Sequence, residues 1–369
     1  MELGLKNPWM VPAKTIEPKC YIEEDIFRIE SDRVLRSNWI SVGRSDDIPE
    51  IGDFFTTELI DEPLILVRDS ESSVKALQNA CTHKWAKLVN CSKGSSKAFV
   101  CPNHAWTFGI DGSLKRTPHY NMADSDRNAC SLHEFQCEVW EGWIFVNLDG
   151  SAGGLNSSMQ ELSQQIAPWK ILEMKRAWSE PVVYEGKYNW KLVCENVGDA
   201  YHIVRTHQES LKNVDFRSSS WTGDPNRFFR TDFVAHQFER HGVFGEIEPS
   251  IPENYLGTWA YVLFPSHIFT LGPDFVMWQQ IHFLSATSLR LEFHLLVPPD
   301  RKHELRAIEE VRQQVLRVAQ EDQDAFCRID EGLRGGSVKS GFLTQLEQGA
   351  ILFQRWWTEQ MNPTSGSDK

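Results

Sequence analysis

The stretch Cys81-Thr82-His83, followed after seventeen residues by Cys101-Pro102-Asn103-His104, decides how this chain is read. Each short loop offers one thiolate and one imidazole, so two such loops side by side would surround a metal centre. A mononuclear zinc ion uses two Cys and two His, but usually takes both cysteines from one loop and both histidines from another. Mixed loops suit a [2Fe–2S] cluster with one all-Cys iron and one all-His iron. The flanks agree, because Leu64-Ile65-Leu66-Val67, Ala98-Phe99-Val100 and Trp143-Ile144-Phe145-Val146 are short β-type runs between turn residues such as Asp111-Gly112. Residues 39–150 therefore read as a small all-β domain. An irregular arm, 1–38, precedes it, and the Gly- and Ser-rich segment 149–158 links it to a second domain, 151–369.

Composition bounds the rest. A chain of 369 residues exceeds one ordinary domain. With 41% hydrophobic and 24% charged residues it is ordinary for a soluble globular chain and too apolar for a disordered one. A net charge of −13 argues against a phosphate backbone as partner. Apolar runs such as 259–264 are far too short for a membrane span, and residues 1–10 lack the order of a signal peptide. The expectation is a cytoplasmic protein binding neither nucleic acid nor membrane. Eight cysteines in a chain this long do not read as a disulfide framework. Fourteen tryptophans serve either a large core or an apolar pocket.

The second half carries its own constellation. Residues 189–207 suit a helix, on which Asp199 and His202 share a face. His202 and His207 stand five apart, about 140° on a regular helix, so a loosened turn beside Gly198 is needed to aim both at one ion. Residues 208–256, rich in Ser, Pro, Gly and Asn, read as long loops. Strand-like runs follow at 258–264, 275–284 and 288–297; in the last, Arg290, Glu292 and His294 would form a wet face. A long helix spans about 301–334. Its stripe of Ile308, Val311, Val315, Val318, Asp322, Phe326 and Ile329 places Asp322 among apolar positions, where a carboxylate needs a cation. Glu321 and Asp324 fall off that stripe. Two histidines and one carboxylate form the facial triad of non-haem Fe(II), with positions open for O2 and substrate. Strands followed by a long helix indicate an α+β fold with the helix on an antiparallel sheet.

Residues 39–118 resemble the Rieske domain family through Cys-x-His, the gap, Cys-Pro-x-His-x-Trp-x-Phe and Asp111-Gly112. Lys84-Trp85 stands where relatives commonly have Arg-Gly, and Asn103 and Ala105 stand where Tyr and Gly are common. Ala86 and Asn103 occupy the positions that pair as a disulfide in respiratory members. Together with Asp199-x-x-His202-x-x-x-x-His207 and a distant Asp322, the chain resembles the catalytic alpha subunits of Rieske non-haem iron oxygenases.

That resemblance implies several expectations. Cys81, His83, Cys101 and His104 hold the [2Fe–2S] cluster; His202, His207 and Asp322 hold Fe(II); Asp199 is the carboxylate bridging the two metal sites. It implies a helix-grip catalytic domain, with a curved antiparallel sheet around the long helix. It also implies a homotrimer, alone or with a small beta subunit, in which His104 of one subunit serves His202 of its neighbour. Electrons come from NAD(P)H through a separate reductase or ferredoxin, and O2 is used to hydroxylate or dealkylate a small molecule. An aromatic or heteroaromatic substrate is the first reading. The stretch from Gln320-Glu321-Asp322 to Gly332-Leu333 also resembles relatives acting on quaternary amines such as carnitine or glycine betaine. Arg205 could bind a substrate carboxylate or sit in a surface salt bridge. A Rieske electron carrier without catalysis is the rival class. Between Cys81 and Pro118 lie Lys84, Lys87, Lys93, Lys97, Lys115 and Arg116 against one acid, Asp111, which reads as a solvated face or as a landing surface for an acidic donor.

Overall fold

The computed structural model describes residues 13–212, 214–233, 242–244, 246–247, 251 and 257–362. The remaining positions, including most of 234–256 and the first twelve residues, lie outside the described residues, and with them part of the long loops expected over 208–256 and the reading of residues 1–10. Two units emerge: residues 36–164 form one, and residues 1–35 with 165–369 form the other. Among the described residues, no helix is long and apolar enough to cross a membrane.

The first unit is built of strands. Its seven-stranded antiparallel sheet includes β1 (Asp53–Leu59), β2 (Glu62–Ser70) and β3 (Ser73–Gln78), and a separate three-stranded sheet contains β4 (Ala98–Val100) and β5 (Thr107–Gly109). The run Leu64 to Val67 is buried on both faces of its strand and Phe108 is buried on β5, while the loops beyond β3 and β4 follow the strand ends. Those are the two loops with the Cys and His residues.

The second unit is α+β, in accord with the expected class. Strands β6 (Val182–Gly186), β7 (Ser220–Asp224), β8 (Phe228–Phe233), β9 (Thr258–Leu263), β10 (His267–Leu271), β11 (Val276–Ser285) and β12 (Ser288–Val297) belong to one antiparallel sheet. Helix α3 (Leu305–Leu333) is the long helix expected from the apolar stripe, and α4 (Gln348–Met361) follows it. The elements not anticipated include β6, the β7–β8 hairpin inside a segment read as loop, strand β10, and α4. The hairpin is stitched by β9, with Phe228 opposite Leu263 and Phe233 opposite Thr258. The stripe on α3 also ends early, since Ile329 is 44% exposed.

The wet face expected on β12 is a correction too. Glu292 and His294 are largely withdrawn from solvent, and Glu292 lies between His282 Nε2 at 3.5 Å and His294 Nε2 at 3.3 Å. Burial opposes its charge, but these imidazoles hold its carboxyl well below the usual carboxylate range, and Arg290 Nη2 stands 2.8 Å away.

The expected helix over 189–207 is broken into α1 (Trp190–Val197) and α2 (Ile203–Thr206). The break falls at Gly198 for a steric reason. A Cβ there would lie 2.4 Å from the backbone of Gly349 and Ala350, so only glycine lets α4 approach. Gly349 N–H donates to Gly198 C=O at 3.1 Å, while Thr231 Oγ1 on β8 donates to Val197 C=O at 2.8 Å. The unanticipated hairpin and α4 therefore close the end of α1 and set the turn that carries His202.

Candidate metal centres and substrate cavity

The two loops of the first unit have matching backbone geometry. Cys81 N–H donates to Ala86 C=O at 2.8 Å and Cys101 N–H to Trp106 C=O at 2.8 Å, while Trp85 and Ala105 N–H return to Cys81 and Cys101 C=O at 2.8 and 3.1 Å. Trp85 and Ala105 take φ of 57° and 55°, the left-handed region, at the two positions where relatives commonly carry glycine. The turns bury Cys81 to 1% and Cys101 to 3% exposure and leave His104 at the surface. The imidazoles of His83 and His104 meet at 4.7 Å between centroids, and His83 stacks flat on Trp106 at 4.7 Å.

These four side chains fit an iron–sulfur cluster. Burial, then the hydrogen bond with Cys101, pushes the Cys81 thiol up, a state that a cation would reverse. His83 Nδ1 is buried without a hydrogen-bond partner among the described residues. Two thiols and two imidazoles match the ligands such a cluster takes.

In the second unit, His202, His207 and Asp322 each offer one donor atom, and these atoms lie within 4.8 Å of one another. His202 precedes α2 and His207 ends it, so the short helix aims the five-apart pair inward. Asp322 comes from α3. Its Oδ1 is 3.0 Å from His207 Nε2 and 3.7 Å from His202 Nε2, and accepts from Asn196 Nδ2 at 3.1 Å. The donor set suits a divalent cation such as Fe(II).

The outer nitrogens of the imidazoles find different partners. Asp199 Oδ1 accepts from the backbone N–H of Tyr201 at 2.6 Å and of His202 at 3.1 Å, so its first role is to cap this turn. Its Oδ2 stands 3.4 Å from His202 Nδ1. His207 Nδ1 pairs instead with Glu321 Oε2 at 2.6 Å, where Ser210 Oγ also donates. This corrects the expectation that Glu321 turns away: it lies beside the stripe, where it reaches α2. Asp324 is exposed and bonds Gln320. Burial opposes the charge on His207, but Asp322 and then Glu321 outweigh it and raise its pKa in the absence of an ion. Asn196 was not anticipated, although it stands three positions before Asp199, a spacing that shares a face on a helix.

A cavity of about 340 Å³ adjoins Asp322 and Asn196, walled by apolar residues of α1, α3 and the sheet such as Met277, Leu291, Phe293 and Val315. The stripe residues Val311, Val315, Val318 and Phe326 face it, which explains why several stay partly accessible. Arg205 is exposed and does not line the cavity.

Sequence comparison now gives the class. Residues 176–363, half of the chain, match the family model of the ring hydroxylating alpha subunit catalytic domain, and residues 38–139 match that of the Rieske [2Fe-2S] domain. The chain belongs to the family of ring-hydroxylating oxygenase alpha subunits. It is similar to the oxygenase subunit of glycine betaine monooxygenase from Chromohalobacter salexigens, 29% identical over 53% of this chain and 43% of that protein. The large subunit of anthranilate 1,2-dioxygenase from Acinetobacter baylyi is 30% identical over 53% of this chain and 43% of its own length. These alignments span less than half of either relative. A crystal structure of the quaternary ammonium Rieske monooxygenase CntA superposes with a TM-score of 0.80 at 21% identity, covering 95% of this chain and 96% of that chain, and so shares the fold.

Proposed function

We propose that this protein is the terminal oxygenase component of a Rieske non-haem iron system, with residues 39–150 as its electron-accepting domain and 151–369 as its catalytic domain. The observation that carries the proposal is the convergence of His202, His207 and Asp322, the last of which lines an apolar cavity. In this reading Cys81, His83, Cys101 and His104 hold a [2Fe–2S] cluster, and His202, His207 and Asp322 hold Fe(II). When bound, these groups supply one-electron transfer and O2 activation. The chain's own residues do the rest. Glu321 and Asp199 orient the two imidazoles, Asn196 steadies Asp322, and the apolar walls keep water from the reacting carbon. The reading extends to electrons from NAD(P)H through a reductase or ferredoxin, a homotrimer with or without a beta subunit, and a cytoplasmic setting consistent with eight free cysteines.

The cavity's described lining favours a neutral aromatic or heteroaromatic substrate. It offers Phe275, Phe293 and Phe326 but neither Trp nor Tyr, the rings that best cage a quaternary ammonium. Quaternary amines remain the second reading because the glycine betaine relative and CntA act on that class by name. The test is iron per chain with O2 uptake across a panel of both substrate classes. Three irons and substrate-dependent uptake are expected. Two irons and no uptake with any member would leave an electron carrier.

A further inference from the structure

Among the described residues, six polar side chains line the cavity, and four of them are engaged within the protein. Asp322 faces the two histidines and accepts from Asn196 Nδ2. Gln314 Nε2 donates to Ser210 C=O at 2.7 Å, and the Gln323 amide bonds the Tyr188 hydroxyl at 2.6 Å. Thr270 on β10 and Gln279 on β11 are the exceptions: neither side chain has a hydrogen-bond partner among the described residues. Both residues stay partly accessible, and neither contributes to the unpartnered polar atoms that are sealed from solvent. The sheet sets the two side by side. Thr270 lies opposite Met277 and Ile268 opposite Gln279, and Met277 presents the same strand face to the cavity. Thr270 and Gln279 are therefore diagonal neighbours on that face, with backbones roughly 7–8 Å apart. They form a polar spot on the sheet wall, across a cavity whose helical wall carries Asp322.

We propose that Thr270 and Gln279 determine substrate specificity by hydrogen-bonding one neutral carbonyl or carboxamide substituent on an aromatic substrate whose ring extends toward Asp322. This rests on the oxygenase reading and narrows its substrate class. A ligand that fills the cavity strips water from the amide and the hydroxyl, so each then needs a partner on the ligand. A carbonyl oxygen has two lone pairs and can accept from both Gln279 Nε2 and Thr270 Oγ1; a carboxamide adds an N–H for Gln279 Oε1. Either end of the Gln279 amide is available, since no described residue holds it. A plain hydrocarbon leaves both groups unpaired, which is how such sites reject it. The described lining holds no Lys, Arg or His, so a carboxylate finds no counter-charge there. A quaternary ammonium has neither a lone pair nor an N–H to offer.

The test compares ligands of one outline. α-Methylstyrene, acetophenone, benzamide and benzoate differ only in the substituent on the ring, and glycine betaine serves as the cationic probe. Equilibrium dialysis against the iron-loaded protein should place acetophenone or benzamide above both benzoate and glycine betaine. Gln279→Leu and Thr270→Val remove the polar atoms at nearly constant volume. Each should lower the affinity of the better neutral polar ligand, relative to α-methylstyrene, about tenfold. Met277→Leu, an apolar exchange on the same wall, should leave that ratio in place. Because the ratio is taken within one protein, a general packing defect cancels. A second readout sees the bond itself: the infrared carbonyl stretch of bound acetophenone should lie lower in the wild type than in either polar-to-apolar variant. A ratio or a stretch unchanged in both variants, an equal fall in Met277→Leu, or tightest binding of benzoate or glycine betaine would overturn the proposal. The oxygenase reading fails separately, if the preference set by Gln279 and Thr270 is present but the reduced, iron-loaded protein consumes no O2 with any bound ligand.

Discussion

Glu321 and Asp324 sit three positions apart on one helix and differ in everything they touch. Glu321 accepts from His207 Nδ1, which fixes the tautomer that leaves Nε2 free to bind a metal. Glu321→Ala is expected to weaken Fe(II) binding about tenfold to a hundredfold, and Asp324→Ala to leave it unchanged. Competition with a chelator measures both, and equal effects would remove the assignment. Asp199 poses a different question because its carboxylate both caps a turn and faces His202. Asp199→Asn keeps a cap oxygen but loses the charge. Both metals are expected to remain while product in a single turnover of pre-reduced enzyme falls sharply. Normal yield would show that Asp199 serves the turn alone. Trp85 is 83% exposed in a left-handed conformation that costs a non-glycine residue about 1–2 kcal/mol. Trp85→Gly returns some of this to the unfolded chain's entropy, leaving a net gain of about 1 kcal/mol in urea unfolding with cluster absorbance intact. A loss of stability would mean that the ring makes a contact worth more than the strain.

At the scale of the element, α1 ties the arm to the catalytic unit. Lys191 Nζ bonds Glu30 Oε1 at 2.7 Å with both side chains fully buried, and Trp190 Nε1 donates to Glu30 Oε2 at 3.0 Å. One turn on, Glu195 accepts from Tyr21 Oη at 2.8 Å. Burial pushes the Glu195 carboxyl up to about 7, from an ordinary value of 4.5, despite the partial exposure its residue keeps. A neutral carboxyl is thus favoured in the folded protein, and that contribution is complete below pH 4.5 and lost as pH rises to about 7. Glu195→Gln removes the titration, so its stability relative to wild type should climb across this window by roughly 1–2 kcal/mol, a figure discounted for solvent screening. Parallel stability curves for the two proteins would show that the carboxyl titrates normally.

For the whole molecule, the organising fact is that the two candidate ligand sets belong to separate units. Cys81→Ser is therefore expected to abolish the cluster's visible absorbance and leave Fe(II) binding at the other centre. Asp322→Ala should do the reverse. Iron analysis with absorption spectra checks both, and loss of both metals in either variant would mean that the sites stabilise each other. The family and these candidate centres were legible in the sequence because metal-binding side chains are few in kind and closely constrained in spacing. The partners of those ligands were not, because Glu321 and His207 are 114 residues apart and meet only when two helices pack.

The sequence by itself determined the candidate ligand types, the α+β class and the long helix. Local spacing and a 3.6-residue period need no tertiary information. It could not place the β7–β8 hairpin, whose Phe228-Phe229 run becomes strand only by pairing with β9. Nor could it announce α4, where Ile351, Leu352, Phe353, Trp356 and Trp357 are buried on several sides and leave no single apolar stripe to read. Tertiary structure alone decided that Gly198 must admit the backbone of Gly349, that Glu292 leaves the solvent, and that Tyr188 pairs with Gln323. Each is set by packing between segments distant in sequence, a contact that no local pattern encodes.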